Sequence, residues 1–232
     1  MTRTSQTLME MYEAMRERFG HRAWWPSQAG ADSPDGKLEI CVGAILTQNT
    51  NWRNVERALD NLRHAGRLAL SAIDETPHER LAELIRPAGY FNVKARRLKD
   101  FAAAVRADWG DDVAGFLDRS PDVLREELLT IRGIGRETAD SIILYAAGKC
   151  SFVVDAYTFR ILFRHHLVGP EDDYESVRDL FESSLPGDVE LWNDYHAQLV
   201  ETGKRFCRKR RPRCAGCPLE PFDHDPEAGM EW

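Results

Sequence analysis

Three groups of residues in this chain could do chemistry. The first is Cys207-x6-Cys214-x2-Cys217, followed by Pro218. Three thiols at this spacing, in a chain whose N-terminus MTRTSQTLMEMYEAM lacks a secretory apolar core, read as metal ligands rather than disulfides. The second is a lone acid, Asp155, directly after the apolar run Phe152-Val153-Val154. An aspartate there can cap a helix, worth ~1 kcal/mol. It can also steady a developing positive charge and orient a water. The third is the turn Ile131-Arg132-Gly133-Ile134-Gly135-Arg136. Its glycines can take φ > 0 and leave no side chain in the way of an approaching backbone. A helix opening after them presents free N–H groups and a positive dipole end, a seat for a phosphate oxygen.

The elements that must position these groups are all helical. Leu8, Met11, Tyr12, Met15 and Phe19 give residues 5–19 a helical apolar period. Residues 37–50 read as a buried helix with a polar end at Gln48, and further helices fall at 52–65 and 78–86. Short helices over 112–129 lead into the glycine turn. Leu124, Leu128 and Leu129 form one apolar face before it, and Ala139, Ile142, Ile143 and Ala146 form another after it. Trp24-Trp25-Pro26 precedes the polar loop SQAGADSPDG; paired tryptophans there can anchor a core or offer a stacking face to a base.

The totals set bounds. The 232 residues are 43% hydrophobic and 30% charged, enough for one domain or two small lobes. No apolar run approaches the ~18 residues of a membrane span, so a cytoplasmic protein is expected, with the nucleoid if the source is bacterial. The net charge is −7, yet seven Lys/Arg against one acid lie between Glu201 and Cys217, and five against one between Arg86 and Asp100. Nine acids gather between Gly169 and Asp194. One cationic face therefore remains open to an anionic partner.

IRGIGRETA, followed about twenty residues later by VVDAYTFR, resembles the helix-hairpin-helix (HhH-GPD) DNA glycosylase superfamily, in its endonuclease III branch. GIGRETAD, TQNTNW and the WWP element resemble its 3-methyladenine DNA glycosylase members. The resemblance implies an all-α, two-lobed fold. Residues 37–152 would form a helical barrel domain with the hairpin at about 124–148. Residues 1–36 plus 153–232 would form a terminal helical domain carrying a cluster loop at 207–223. A monomer holding double-stranded DNA with damaged bases in the cleft between the lobes is expected.

The resemblance also assigns roles. Asp155 becomes the catalytic carboxylate, and Trp24 and Trp25 line the base pocket. Gln48 fills the gap left by an extruded base. Gly89-Tyr90-Phe91-Asn92-Val93-Lys94-Ala95 resembles a second wedge loop, with Tyr90 entering the duplex. By charge, the basic residues Lys94, Arg96, Arg97 and Lys99 at the start of the following helix could meet phosphate. Arg132, Gly133, Gly135 and Arg136 hold the DNA backbone. Relatives carry a fourth cysteine six residues after Cys217, and the four hold a [4Fe–4S] cluster. Here that position is Asp223, beside His224, so a cluster with three Cys and Asp223 (or His224) is implied. A three-iron cluster or a zinc site on the same residues stays open.

Two positions narrow the chemistry. Members that also cut the strand use a Lys directly after the hairpin's GxGR to form a Schiff base. Glu137 stands there, and a glutamate forms no imine. A glycosylase using water as nucleophile follows, an alkylated purine being favoured because it is already cationic and leaves easily. In adenine-mismatch glycosylases an acid is expected near the position of Gly43 as proton donor, and a glycine there counts against that branch. The alternatives are an oxidised-pyrimidine glycosylase with weak or no lyase activity, or a damaged-DNA-binding protein without catalysis.

Overall fold

The structure is a computed structural model and describes residues 2–22 and 24–228. Among these residues there is no strand and there are twelve α-helices. They are α1 (Arg3–Phe19), α2 (Pro34–Thr47), α3 (Trp52–His64), α4 (Leu70–Glu75), α5 (His78–Leu84), α6 (Phe91–Trp109), α7 (Val113–Leu117), α8 (Pro121–Thr130), α9 (Arg136–Ser141), α10 (Ala156–Arg164), α11 (Tyr174–Ser184) and α12 (Val189–Arg205). A 3₁₀ turn, Arg86–Ala88, precedes α6, and a π turn, Ile142–Ala146, extends α9. Among the described residues no helix is long and apolar enough to cross a membrane.

Most boundaries follow from side-chain caps. Thr2, Ser33, Asn51, Asp112, Asp155, Asp173 and Asp188 each accept from a backbone N–H of the helix they open. Pro34 and Pro121 stand in first turns, where a missing N–H costs nothing. The Ser33 cap starts α2 three residues before the expected 37, and α2 stops at Thr47. Gln48 thereby leaves the helix. The short α4 carries too few residues to show a period, and sequence reading did not find it.

The chain divides into two compact units, Met1–Trp24 with Cys150–Trp232, and Trp25–Lys149. In the terminal unit Phe152 and Phe181 stack at 3.8 Å between ring centroids, and the Tyr195 hydroxyl donates to the Leu8 carbonyl at 2.7 Å. Asp194, 1% exposed, accepts from the Tyr12 hydroxyl at 2.8 Å and the Arg22 N–H at 2.6 Å. One buried carboxylate thus ties the N-terminal helix to α12.

The central unit is built on α2, whose residues from Leu38 to Leu46 are all buried. A helix apolar on every side needs neighbours all round, and α3, α6, α7 and the π turn supply them. Cys41 lies inside it, and burial pushes the thiol up to about 12, leaving it inert. Residues 25–36 fold with this unit, whereas the sequence boundary at 37 had put them with the terminal segments. Trp25 packs on Trp52 and Tyr145, and the Gln28 N–H donates to buried Glu39. Leu124 and Leu128 are buried, but Leu129 is 37% exposed, against expectation. It lies about 100° round the helix from Leu128.

Candidate nucleic-acid and carboxylate site

In the central unit, α8 and α9 flank the glycine turn. Gly133 adopts φ +89°, and a Cβ there would lie 2.4 Å from Cγ of Arg97. Only glycine fits, on two counts. Gly135 differs from expectation: its φ is −96°, an extended value open to any residue, and nothing lies within 4 Å of a Cβ there. Its contribution is bare, exposed backbone at the start of α9. Arg132, Gly135, Arg136 and Glu137 are all exposed around that opening. The hairpin's helices are joined behind it by a bidentate pair. Arg125 Nε and Nη2 donate to the two oxygens of Asp140 at 2.8 and 3.2 Å, and Asp140 is fully buried.

Gln48 does not extend into solvent. Its Nε2 donates to the Gly133 carbonyl at 3.2 Å and to Thr138 Oγ1 at 2.8 Å, and its Oε1 accepts from Arg97. The amide is held on the hairpin. Tyr90 is the opposite case, 72% exposed and left-handed at φ 44°, ψ 33°. A non-glycine residue in that region costs ~1–3 kcal/mol and is kept only where its surroundings enforce it. Lys94, expected at a phosphate, is 1% exposed. Its ammonium donates to the Leu46 carbonyl (2.8 Å), Thr50 Oγ1 (2.7 Å) and the Ala88 carbonyl (2.8 Å). The side chain is part of the core, so the phosphate expectation is corrected.

Of the paired tryptophans, Trp24 is half-buried and belongs to the terminal unit. Trp25 belongs to the central unit and gathers aromatic faces. Its ring centroid is 5.1 Å from Trp52, edge-on, and 5.3 Å from Tyr145. It lies against Gly43, where a Cβ would sit 3.1 Å from the indole. The missing side chain at 43 is what admits Trp25.

Asp155, in the terminal unit, opens α10. Its Oδ1 accepts from the Tyr157 N–H (2.9 Å), the Thr158 N–H (2.7 Å) and the Thr158 hydroxyl (3.0 Å). Its Oδ2 is 3.7 Å from His196 Nε2 on α12. One oxygen is spent on the cap and holds the carboxyl still, while the other faces an imidazole. Burial works against the charge, but His196 and the Thr158 donors more than offset it and hold the carboxyl below the usual aspartate value. The result is an ordered carboxylate that stays ionised.

The three cysteines line a common recess in the same unit, with Arg164 and His224. Asp223 is exposed and does not line it; its carbonyl accepts from His165 Nδ1 at 3.0 Å. Of the two fourth-ligand candidates, His224 lines the recess and Asp223 does not. Arg164 is 5% exposed and donates to Cys207 Sγ at 3.3 Å and to the Arg208 carbonyl at 2.8 Å. No carboxylate pairs with it among the described residues. Burial pushes the Cys217 thiol up to about 11, and Cys207 and Cys214 add to the rise. A cation that removed these protons would relieve the crowding and give the Arg164 guanidinium anionic partners. Among the described residues no three His, Cys, Asp or Glu gather closely enough for a single ion.

Arg164, Trp52, Tyr145 and His196 carry no local signal in the sequence, and Arg97 is there only one of several cations. Each acts through a contact remote in sequence, and no local spacing marks it. Helix α10 links two of the groups: Asp155 caps its start, and Arg160, midway along it, donates from Nε to the Cys207 carbonyl at 2.7 Å.

Residues 42–186 match the family model described as "HhH-GPD superfamily base excision DNA repair protein". The chain is 41% identical over 218 residues to a candidate DNA repair glycosylase of Methanocaldococcus jannaschii, covering 94% of this chain and 96% of that one. It is 30% identical over 186 residues to endonuclease III of Thermotoga maritima, covering 79% and 80%. Among solved structures it is similar to the Helicobacter pylori 3-methyladenine DNA glycosylase bound to 1,N6-ethenoadenine, with a TM-score of 0.71, 28% identity, and 87% and 97% of the two chains covered. A trapped endonuclease III–DNA covalent intermediate matches at TM-score 0.77 and 22% identity over 94% of each chain, a likeness of fold alone.

Proposed function

This chain belongs to the HhH-GPD superfamily of base excision DNA repair proteins, and we propose that it is a monofunctional DNA glycosylase acting on alkylated purines such as 3-methyladenine. The observation that carries the reading is Glu137. It is exposed in the first turn of α9, directly after the hairpin's GxGR, where a strand-cutting relative would need an amine. With no amine at that position, water is the nucleophile.

The residues divide the task by chemistry. The bare backbone of Gly135 and the N–H groups opening α9 take duplex phosphate, with Arg132 and Arg136 adding charge. Tyr90 enters the stack beside the target, and Gln48 leaves its hairpin bonds to fill the gap. The extruded base meets aromatic faces of the Trp25, Trp52 and Tyr145 group, which favour a cationic purine. As the C1′–N bond stretches, positive charge grows on the sugar. Asp155 Oδ2 stabilises it and orients the attacking water, while Oδ1 stays bound to the cap.

The three cysteines line a shared hollow with His224, and three thiolates at this spacing support a [4Fe–4S] cluster there. Cys207, Cys214, Cys217 and His224 would hold the group. Its contribution there is structural, fixing the loop that carries Arg208, Lys209, Arg210, Arg211 and Arg213 for phosphate. Purified protein is expected to be brown and iron-bearing. Cys217→Ser is expected to lose iron and to weaken duplex binding at every sequence alike. A colourless, zinc-containing protein would overturn the cluster.

Base release from a panel of alkylated, oxidised and mismatched duplexes tests the function, with borohydride trapping alongside. Release of methylated purine and no trapped adduct is expected. A trapped adduct, or preferential release of an oxidised pyrimidine, would favour instead the activity named for the endonuclease III relative.

A further inference from the structure

We propose that Lys94 is a positioning residue that locks the Gln48 loop and the Tyr90 loop together, so that both enter the duplex as one wedge. This inference rests on the glycosylase reading and adds to it a determinant of base extrusion.

A fully buried ammonium is costly unless every donor is satisfied. Lys94 has three donors and three acceptors, at 2.7–2.8 Å. No carboxylate pairs with it among the described residues, and burial, aided by the Arg97 charge, lowers its pKa to about 8. A hydrocarbon side chain would fill the same space without that cost. What a hydrocarbon cannot do is hold three separate segments at one point.

The segments are the informative part. Leu46 is in the last turn of α2, two residues before Gln48. Thr50 lies two residues after Gln48. Ala88 ends the 3₁₀ turn two residues before Tyr90. The Thr50 hydroxyl also donates to the Ala88 carbonyl at 2.5 Å, so the two loops bond to each other as well as to the ammonium. Gln48 in turn binds the hairpin through Gly133 and Thr138. The ammonium therefore grips the Gln48 loop on both sides and the Tyr90 loop just before its exposed, left-handed tip. Neither loop can shift without breaking a buried, charge-assisted bond. Two independent loops would each have to be ordered against the duplex; joined loops arrive in register.

The test separates insertion from folding. Lys94→Met and Thr50→Val are compared with wild type on one damaged base, in a fully paired duplex and in an unpaired bubble that needs no wedge. Lys94→Met is expected to slow release from the paired duplex by about 10- to 100-fold, the cost of a small misplacement, with a much smaller loss on the bubble. Thr50→Val, which removes one acceptor and leaves the charge, is expected to shift the same ratio in the same direction, and it serves if Lys94→Met fails to fold. 2-Aminopurine opposite the lesion reports insertion directly, and its rise is expected to be slower in both variants. Equal losses on both substrates, or an unchanged fluorescence rise, would overturn the proposal. If wild type releases no base from either substrate, the glycosylase reading fails, and the fluorescence arm still decides the role of Lys94.

Discussion

Asp155→Asn is expected to slow base release about a thousandfold in single-turnover assays, the scale of removing a positioned catalytic carboxylate. It is expected to cost at most about 1 kcal/mol of stability, far less than the effect on rate. The two roles of the residue make this separation possible. Oδ1 accepts three hydrogen bonds as a helix cap, and an asparagine oxygen accepts them almost as well. What the substitution removes is the charge at Oδ2, with a few tenths to ~1 kcal/mol of interaction with the helix dipole. Asp155→Ala would remove cap and charge together and cost ~1 kcal/mol of stability besides. An asparagine variant as active as wild type would reduce Asp155 to a cap. The pH dependence has a definite sign. Because the folded carboxyl lies below its ordinary value, its ionisation stabilises the fold above the unfolded aspartate value of about 3.9 and loses that contribution as pH falls through the lower folded value. Activity is therefore expected to hold through mildly acidic pH so far as Asp155 decides it.

The second large effect belongs to the hairpin's brace. Asp140→Ala is expected to destabilise the protein by about 3–5 kcal/mol in urea denaturation, because it leaves the Arg125 guanidinium without its buried carboxylate. Duplex binding is expected to fall with it, since α8 and α9 are held by this pair on either side of Gly133. Replacing both partners, Arg125→Met with Asp140→Leu, is expected to recover much of the loss, since apolar groups of similar volume can take the place of a buried pair. A loss below about 1 kcal/mol for Asp140→Ala would mean that the helices are held by apolar packing alone.

The helices, the glycine turn and the capping aspartate were legible because each is encoded within a few neighbouring residues. Period, cap and turn chemistry are local, and they led to Asp155, Gly133 and the recess cysteines. Lys94 is the instructive failure. Grouped by charge with Arg96, Arg97 and Lys99, it looked like a phosphate ligand. Grouped by helical period, it falls in line with Leu98, Phe101 and Val105, all buried. The face was readable, and the charge outweighed it. Asp223 and His224 show a different limit, since adjacent loop residues with no period gave no way to tell which one turned toward the cysteines. His196 beside Asp155 and Arg164 beside Cys207 are pairings across tens of residues. They arise when α10 packs against α12 and the cysteine loop, which no local pattern records.

Gly43 and Trp25 have a consequence for how this chain can change. An acid at position 43 would be one substitution away on paper, and with it the proton donor of a different excision chemistry. The indole of Trp25 stands 3.1 Å from where even the first carbon of that side chain would go. A glutamate alone would displace Trp25 and disturb its packing on Trp52 and Tyr145; loss of Trp25 alone would open a hole over a bare glycine. The two positions are in contact, so their substitutions are expected to be non-additive in a double-mutant cycle. A larger residue at 43 is therefore expected to need a compensating change at Trp25 before the aromatic group can pack again.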